Sequence, residues 1–138
     1  DLSRHAAPRV LTPHPGEFAR LRKHNQLPDD DHKAAEQLCA DSNISLVYKS
    51  HEPVVFGANR AQPVTSGSSA LATGGTGDVL TGIISAFMAR MEPYDAAVTG
   101  TYVHGRCGRL AGEELTKECV IASDLYKYMP QAIREVIE

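Results

Sequence analysis

A glycine-rich turn that runs directly into a strongly patterned helix is the feature that most constrains this chain. The turn is Gly74-Gly75-Thr76-Gly77-Asp78, and the segment 79–88 after it has apolar residues at the spacing of a wide, buried helical stripe. Glycines allow positive φ and leave backbone N–H groups uncovered, and Asp78 is predicted to cap the helix. Such a turn can hold an anion, most often a phosphate. The sequence therefore predicts an anion-binding turn, with an ordinary strand-to-helix turn as the alternative.

The turn does not match the common phosphate-binding motifs. No Gly-Lys-Ser/Thr follows it, as a P-loop requires, and Leu80 stands where a dinucleotide fingerprint has its third glycine. A carboxylate in an anion-binding turn repels phosphate, so Asp78 needs a role that outweighs this cost. Accepting the proton of a hydroxyl group that attacks a phosphoryl group is such a role. We therefore expect Asp78 to be a catalytic base.

The rest of the pattern predicts an α/β fold, a mixed sheet flanked by helices in the order β-α-α-β-β-β-α-α-α. In chain order, the predicted segments are a strand at 9–12, a helix from Pro15, a helix at 30–41, strands at 44–48, 54–56 and 62–65, helices at 78–90 and 94–115, and a last helix capped by Ser123-Asp124 and interrupted by Pro130. Four strands are few for a sheet covered on both faces, since sheets usually have about five or six. The chain therefore resembles the back half of a larger domain.

The long helix predicted at 94–115 contains four glycines, at positions 100, 105, 108 and 112. Each interior glycine costs about 1 kcal/mol relative to alanine. We expect that they permit close packing against a neighbouring helix, and the alternative is close approach to a ligand. His104, on the same helix, is predicted to be packed and is left out of the site.

Composition narrows the class of protein. The 138 residues predict one domain, 1–138, and the net charge of −3 gives no electrostatic reason to expect nucleic acid or an anionic membrane as partner. No apolar run reaches membrane-spanning length. Cys39, Cys107 and Cys119 are widely spaced and form no CxxC pair, which predicts a reducing compartment, here the cytoplasm. The histidines also lack ligand spacing, so no metal site made of side chains is expected.

Two segments together carry a resemblance to a known family. Segment 72–84, Ala-Thr-Gly-Gly-Thr-Gly-Asp-Val-Leu-Thr-Gly-Ile-Ile, is typical of the ribokinase-like superfamily. Segment 11–18, Leu-Thr-Pro-His-Pro-Gly-Glu-Phe, resembles the ADP/ATP-dependent NAD(P)H-hydrate dehydratases within it. Segments 102–105 and 121–125 are similar to that family as well. Family members have a long portion before the segment that matches 11–18, so the resemblance implies the C-terminal, nucleotide-binding half of a ribokinase-like fold.

The resemblance implies a lyase that repairs NADH or NADPH hydrated on the nicotinamide ring. A phosphoryl group from ADP or ATP is transferred to the ring hydroxyl, and loss of phosphate then restores the dinucleotide. Mg²⁺ is expected with the nucleotide, held largely by phosphate and water. The residues implied are Asp78 as the base, the amides of Gly75, Thr76 and Gly77 as the anion hole, His14, Gly16, Glu17 and Asp78 for substrate binding, and Lys49, Ser50, His51, Glu52, Pro53 and Gly77 for nucleotide binding.

Several positions depart from the family pattern or have a simpler explanation. Ser50 stands where glycine is frequent, Pro53 where threonine is common, and Ser66-Gly67-Ser68-Ser69 replaces a stretch that often carries asparagine. His14 is also explained as a loop residue, and Glu17 as a first-turn residue that favours the helix dipole. Lys49 is also explained as a solvated residue at a strand end.

Two other functions stay open at this stage. The first is a ribokinase-like kinase for a small alcohol such as a vitamin precursor, which keeps a stable phosphorylated product. The second is a non-catalytic nucleotide-binding fragment that needs a partner chain to cover an exposed sheet edge. For the dehydratase that the resemblance implies, a homo-oligomer or association with a missing N-terminal portion is expected.

Overall fold

The elements follow the predicted order along residues 2–137, the part of the chain that the computed structural model describes. The predicted unit, 1–138, extends one residue beyond this part at each end. The described strands are β1 (Val10–Leu11), β2 (Ser45–Tyr48), β3 (Val54–Gly57) and β4 (Arg60–Pro63), and the described α-helices are α1 (Pro15–His24), α2 (Asp31–Ser42), α3 (Thr76–Met88), α4 (Pro93–Leu115) and α5 (Leu125–Ile137).

The four strands form one mixed sheet in the order β1-β2-β3-β4. β1 and β2 are parallel, and α1 and α2 lie in the connection between them, as a parallel pair requires. β2, β3 and β4 are antiparallel neighbours, with Leu46 opposite Phe56 and Val47 opposite Val55. Every residue of β2 and β3 is buried, whereas β4 is an exposed edge. The prediction of a mixed α/β sheet is confirmed.

Helices cover both faces of the central strands. On one face, Leu46 and Phe56 belong to a core cluster with Phe18 of α1 and Leu38 of α2. On the other face, side chains of β2 and β3 join α3 and α4 in a second cluster that includes Val47, Val55, Leu80, Ile84 and Ala97. A third cluster joins α3, α4 and α5. Among residues 2–137, no helix has both the length and the apolar character needed to cross a lipid bilayer.

Close packing explains the glycines of α4. A Cβ atom at Gly100 would lie 2.6 Å from Ile84 Cγ1, and one at Gly108 would lie 2.5 Å from Leu71 Cγ. A Cβ atom at Gly105 would lie 2.6 Å from the backbone oxygen of Ser66. These separations are shorter than any ordinary carbon contact. The predicted close packing against a neighbouring helix is therefore confirmed at Gly100, whereas Gly105 and Gly108 pack against the segment before α3.

Two predicted helix boundaries were wrong. Gly75, at φ +86°, is the N-cap of α3, so Asp78 is the third helical residue and not the cap. Glycine adopts such a positive φ without strain, so the chain turns at Gly75 and the helix begins at Thr76, two residues before Asp78. Asp124 lies in a short 3-10 turn and accepts a hydrogen bond from the N–H of Ile121 instead of capping α5.

Pro130 does not interrupt α5, which is continuous from Leu125 to Ile137. The N–H that proline lacks would have bonded the carbonyl of Tyr126, four residues earlier. Pro130 and Tyr126 are both exposed. Water can therefore satisfy that carbonyl, and the helix continues past the proline.

Candidate active site

A cavity of about 590 Å³ lies between the end of β2, the first turn of α3 and the middle of α4. Its size is within the range of small-molecule binding sites. Some of the predicted site residues line this cavity: His14, Lys49, Ser50, His51, Pro53, Thr76 and Gly77. Three segments that are distant in the sequence, at 14, 49–53 and 76–77, therefore meet around one cavity.

The remaining predicted residues do not line this cavity. They are Gly16, Glu17, Glu52, Gly75 and Asp78. Asp78 is exposed, and Thr81, one turn further along α3, has its hydroxyl oxygen 3.4 Å from the hydroxyl oxygen of Thr12. Residues three apart on a helix share a face. Asp78 therefore lies on the side of α3 that faces the Thr12-Pro13-His14 segment, beside the cavity and not inside it.

The first turn of α3 presents unbonded amides at the cavity. The carbonyl of Gly75 accepts from the N–H groups of both Asp78 and Val79, at 3.1 and 3.2 Å. The N–H groups of Thr76 and Gly77, the first two helical residues, have no helical acceptor, because the residues four positions before them lie outside the helix. The hydroxyl of Thr76 donates to the carbonyl oxygens of the loop before the helix, at 2.8 and 2.9 Å, and so fixes this turn. The arrangement provides donors for an anion.

Lys49 adds a positive charge at the same place. A Cβ atom built on Gly77 would lie 3.2 Å from Lys49 Nζ, which is also 4.0 Å from Glu17 Oε2. The backbone N–H of Lys49 donates to the carbonyl of Pro13 at 3.0 Å, which ties the end of β2 to the Thr-Pro-His segment. The ammonium group and the positive end of the helix dipole both favour a phosphate here.

His14 and Glu17 have a structural role as a capping box at the start of α1. His14 Nδ1 accepts from the N–H groups of Gly16 and Glu17, at 3.1 and 3.3 Å, and Glu17 Oε2 accepts from the N–H of His14 at 2.8 Å. That last bond is the main reason why the pKa of the Glu17 carboxyl is below its usual range. Because Nδ1 is an acceptor, a ring proton is on Nε2, which lies 3.5 Å from Glu17 Oε1.

The sequence analysis left three cavity residues of α4 out of the site, namely Thr101, His104 and Gly105, and two of them have polar side chains. His104 is buried, lines the cavity, and lies with Nε2 2.8 Å from the carbonyl oxygen of Thr76. Burial, together with the smaller effect of the Lys49 charge, lowers the pKa of its imidazole to about 4. Thr101, one turn earlier, has a buried hydroxyl with no hydrogen-bond partner. The resemblance of segment 102–105 to the family was an available signal, but a histidine on a glycine-rich helix was interpreted as packing.

The loop before the glycine turn forms the remaining wall of the cavity. Its lining residues are Gly67, Ser68, Ser69, Leu71, Ala72 and Thr73. Side chains that hold a metal ion directly are not grouped here or elsewhere in residues 2–137, where no cluster of three or more His, Cys, Asp or Glu is suitably placed. An ion held mainly by nucleotide phosphates and water does not need such a cluster.

Comparison with known proteins gives the same family for almost the whole chain. The family model described as NAD(P)H-hydrate dehydratase matches residues 1–131. The ADP-dependent (S)-NAD(P)H-hydrate dehydratase of Bacillus subtilis is 34% identical over 128 residues, which cover 90% of this chain and 46% of that protein. The bifunctional NAD(P)H-hydrate repair enzyme Nnr of Moorella thermoacetica is 33% identical, and the match covers 95% of this chain and 26% of that enzyme. The chain thus spans between about a quarter and a half of these relatives.

Solved structures agree on the fold. The B. subtilis ADP/ATP-dependent NAD(P)H-hydrate dehydratase co-crystallised with ATP/Mg²⁺ superposes with a TM-score of 0.83 and 30% identity, over 96% of this chain and 51% of that one. A ribokinase-like superfamily protein from Enterococcus faecalis gives a TM-score of 0.75 at 29% identity, over 94% and 46%. A hydroxyethylthiazole kinase from Pyrococcus horikoshii, at 22% identity, shares the fold alone, with a TM-score of 0.72.

Proposed function

Because the chain belongs to the NAD(P)H-hydrate dehydratase family, we propose that its site dehydrates hydrated NADH or NADPH with ADP or ATP as phosphoryl donor. One observation carries the proposal. The unbonded amides at the start of α3 and the ammonium group of Lys49 meet at one cavity of about 590 Å³. This is an arrangement suited to the phosphates of a nucleotide.

The nucleotide occupies the cavity in this proposal. Its terminal phosphate lies against the amides of Gly75, Thr76 and Gly77, with Lys49 as the counter-charge. The segment 50–53 and the loop 67–73 enclose the rest of the nucleotide. Donors that are already in place stabilise the charge that develops on the phosphoryl oxygens without reorganisation, and this is usually a large contribution to catalysis.

Asp78 acts from the other side of the α3 N-terminus. It takes the proton of the ring hydroxyl while the hydroxyl oxygen forms a bond to phosphorus and the nucleotide leaves with the bridging oxygen. The carbon–oxygen bond of the resulting phosphate ester then breaks, the ring nitrogen supplies electron density, and a proton leaves the adjacent ring carbon. Phosphate is a far better leaving group than hydroxide, which is the reason for spending a nucleotide. His14 and Glu17, beside Thr12, are the proposed contacts for the hydrated ring.

Magnesium accompanies the nucleotide in this proposal and neutralises charge on its phosphate oxygens. The donor set of the chain fits an ion held by phosphate and water. The carboxylates that would hold its water ligands are Glu17 and Asp78. Hydrogen bonding to the N–H of His14 lowers the pKa of Glu17 and so keeps that carboxylate charged.

The activity is tested by incubating the chain with ADP and hydrated NADH and following the absorbance of the reduced nicotinamide. We expect the absorbance to return in proportion to the ADP consumed. Phosphorylation of a hydroxymethyl-pyrimidine or thiazole without any return would instead identify a vitamin-precursor kinase. Nucleotide binding without either reaction would identify a binding fragment that needs a partner.

The nucleotide site is tested separately by Gly77→Ala. The added Cβ lies 3.2 Å from Lys49 Nζ, the far end of a flexible side chain, so the ammonium group shifts while the fold remains. We expect the Kd for ADP to rise about tenfold, since a charge-assisted contact to phosphate is weakened. Gly74→Ala is the matched control, because nothing lies within 4 Å of its Cβ. Equal ADP affinity in both variants would mean that Lys49 does not contact the nucleotide.

Association with another chain is also proposed. In the described sheet β1 pairs with β2 alone, so its second edge leaves backbone groups unpaired. A second copy of this chain or the N-terminal portion of a family member would cover that edge. Light scattering across a concentration series measures the mass, and a monomer at every concentration would contradict self-association.

A further inference from the structure

One buried hydrogen bond joins α4 to the first turn of α3. His104 Nε2 lies 2.8 Å from the carbonyl oxygen of Thr76, and the residue is 8% exposed. A carbonyl oxygen can only accept, so Nε2 carries the proton and donates it. The acceptor belongs to the peptide group between Thr76 and Gly77, the residues that supply the unbonded amides.

The geometry of that peptide links His104 to the cavity. The Thr76–Gly77 peptide is trans, and in a trans peptide the C=O and N–H bonds point in opposite directions. Holding the carbonyl of Thr76 toward His104 therefore holds the N–H of Gly77 away from it, toward the open end of the helix. The ammonium group of Lys49 lies at that end, 3.2 Å from where a Cβ of Gly77 would be.

We infer that His104 is a positioning residue, which orients the Gly77 amide for the phosphoryl group by anchoring the Thr76 carbonyl. The inference rests on the proposed function in one respect, namely that the anion at this turn is the terminal phosphate of a nucleotide. His104 does not touch the reacting atoms in this role. It acts through the peptide between Thr76 and Gly77.

Two further observations support the assignment. Gly105, the next residue, brings α4 so close to the loop before α3 that a Cβ would lie 2.6 Å from the backbone oxygen of Ser66. The position of the helix that carries His104 is therefore fixed by close packing. The low pKa of His104 keeps the ring uncharged near neutral pH, so it does not compete with Lys49 for the anion. An uncharged donor anchored on a packed helix suits orientation better than charge stabilisation.

The experiment compares His104→Leu with His104→Gln. Leucine has a similar volume and no donor, whereas glutamine places an N–H donor the same number of bonds from the backbone as Nε2. For each variant the Kd values of ADP and AMP are measured by calorimetry, and their ratio reports the contribution of the terminal phosphate. Because both nucleotides bind the same folded protein, a general loss of stability cancels from the ratio.

We expect the wild-type chain to prefer ADP to AMP, His104→Leu to reduce that preference about tenfold, and His104→Gln to restore most of it. Cys107→Ala, a buried change one turn further along α4, is the control, and it should lower the unfolding temperature without changing the ratio. A steady-state assay adds a second reading, in which kcat falls more than KM rises in His104→Leu.

An unchanged preference in His104→Leu, or an equal loss in Cys107→Ala, would overturn the inference. So would a wild-type chain that does not distinguish ADP from AMP. If instead the preference responds to His104 as expected while hydrated NADH is never dehydrated, the proposed function fails and the positioning role stands.

Discussion

At the scale of single residues, Asp78 is the group on which turnover depends in the proposed reaction. Asp78→Asn removes the base and keeps the shape, so we expect kcat to fall by about 10² to 10⁴. Affinity for ADP measured without Mg²⁺ should be equal or higher, because a negative charge near the phosphates is removed. Stopped assays for phosphate release and calorimetry for ADP separate the two effects. Activity within threefold of wild type would exclude Asp78 as the base.

His104 should also leave a signature in the pH dependence of stability. Burial is the main reason why its pKa falls from 6.5 to about 4, a change equivalent to about 3 kcal/mol. Below pH 6.5 the unfolded chain binds a proton that the folded chain cannot bind until about pH 4. The free energy of unfolding of the wild type is therefore unaffected by this proton above pH 6.5, and it falls progressively as the pH is lowered from 6.5 toward 4.

Urea unfolding at pH 7 and pH 4 measures this loss, and His104→Gln supplies the comparison. Acidic residues with lowered pKa values, such as Glu17, also cost stability in acid, but they do so in both proteins. We expect the free energy of unfolding to fall less in His104→Gln than in wild type. Parallel losses in the two proteins would mean that the ring is not buried in neutral form.

The sequence predicted the parts of the site whose residues are adjacent in the chain and form a recognisable motif. The glycine turn and the Thr-Pro-His segment carry their identity in short, ordered patterns, and they line or flank one cavity. The position of Asp78 could not be predicted, because it depends on the positive φ of Gly75. The bond from His104 to Thr76 joins residues 28 apart and has no local pattern.

At the scale of elements, the contact between α3 and α4 sets the position of the site. Gly100→Ala would place a Cβ 2.6 Å from Ile84 Cγ1 and 3.2 Å from Ile84 Cα, so the two helices must separate. We expect a loss of about 1–3 kcal/mol in the free energy of unfolding, as for other overpacked cores.

Gly82→Ala is the control for that substitution, since it lies on α3 with nothing within 4 Å of the added Cβ. It should stabilise by up to about 1 kcal/mol through helix propensity. Thermal and chemical denaturation of the two variants give the comparison. A stabilised Gly100→Ala chain would mean that the helices are further apart than the structure has them.

Most elements could be predicted because their patterns are local. The apolar stripe of α3 and the buried run of β2 follow from periodicity alone. The ends were less predictable: β4 covers Arg60–Pro63 instead of 62–65, and α5 continues through Pro130. Strand pairing and solvent exposure decide such boundaries, and neither is encoded in a short window of residues.

At the scale of the whole molecule, the rates at which the three cysteines react with a thiol reagent show whether the core clusters unfold together. Cys39 and Cys107 belong to different core clusters, and burial raises their pKa values to about 12 and about 11. Cys119 is exposed. With Ellman's reagent we expect one fast thiol and two slow ones, and Cys119→Ser should remove the fast phase.

Saturating ADP extends this measurement. A ligand that binds only the folded chain slows labelling through global unfolding by about a hundredfold at one hundred times its Kd. β2 and β3 contribute side chains to the clusters on both faces of the sheet, and α3 and α4 join the second of these to the cluster that contains Cys107. Cys39 and Cys107 should therefore be slowed by the same factor. Mass spectrometry of the labelled peptides distinguishes them. Protection of Cys107 alone would show that the two faces open separately.

Lys49 has a consequence for how the two ligands affect each other. Its backbone N–H donates a hydrogen bond to the carbonyl of Pro13, while its ammonium group lies between Glu17 and the start of α3. A nucleotide that draws the ammonium group toward its phosphate weakens its attraction to Glu17 and frees that carboxylate for the hydrated ring. Any factor by which the nucleotide changes the affinity for the hydrate must then equal the factor by which the hydrate changes the affinity for the nucleotide. In the proposed reaction, the side chain of Lys49 would thereby couple the binding of the nucleotide to the binding of the hydrate.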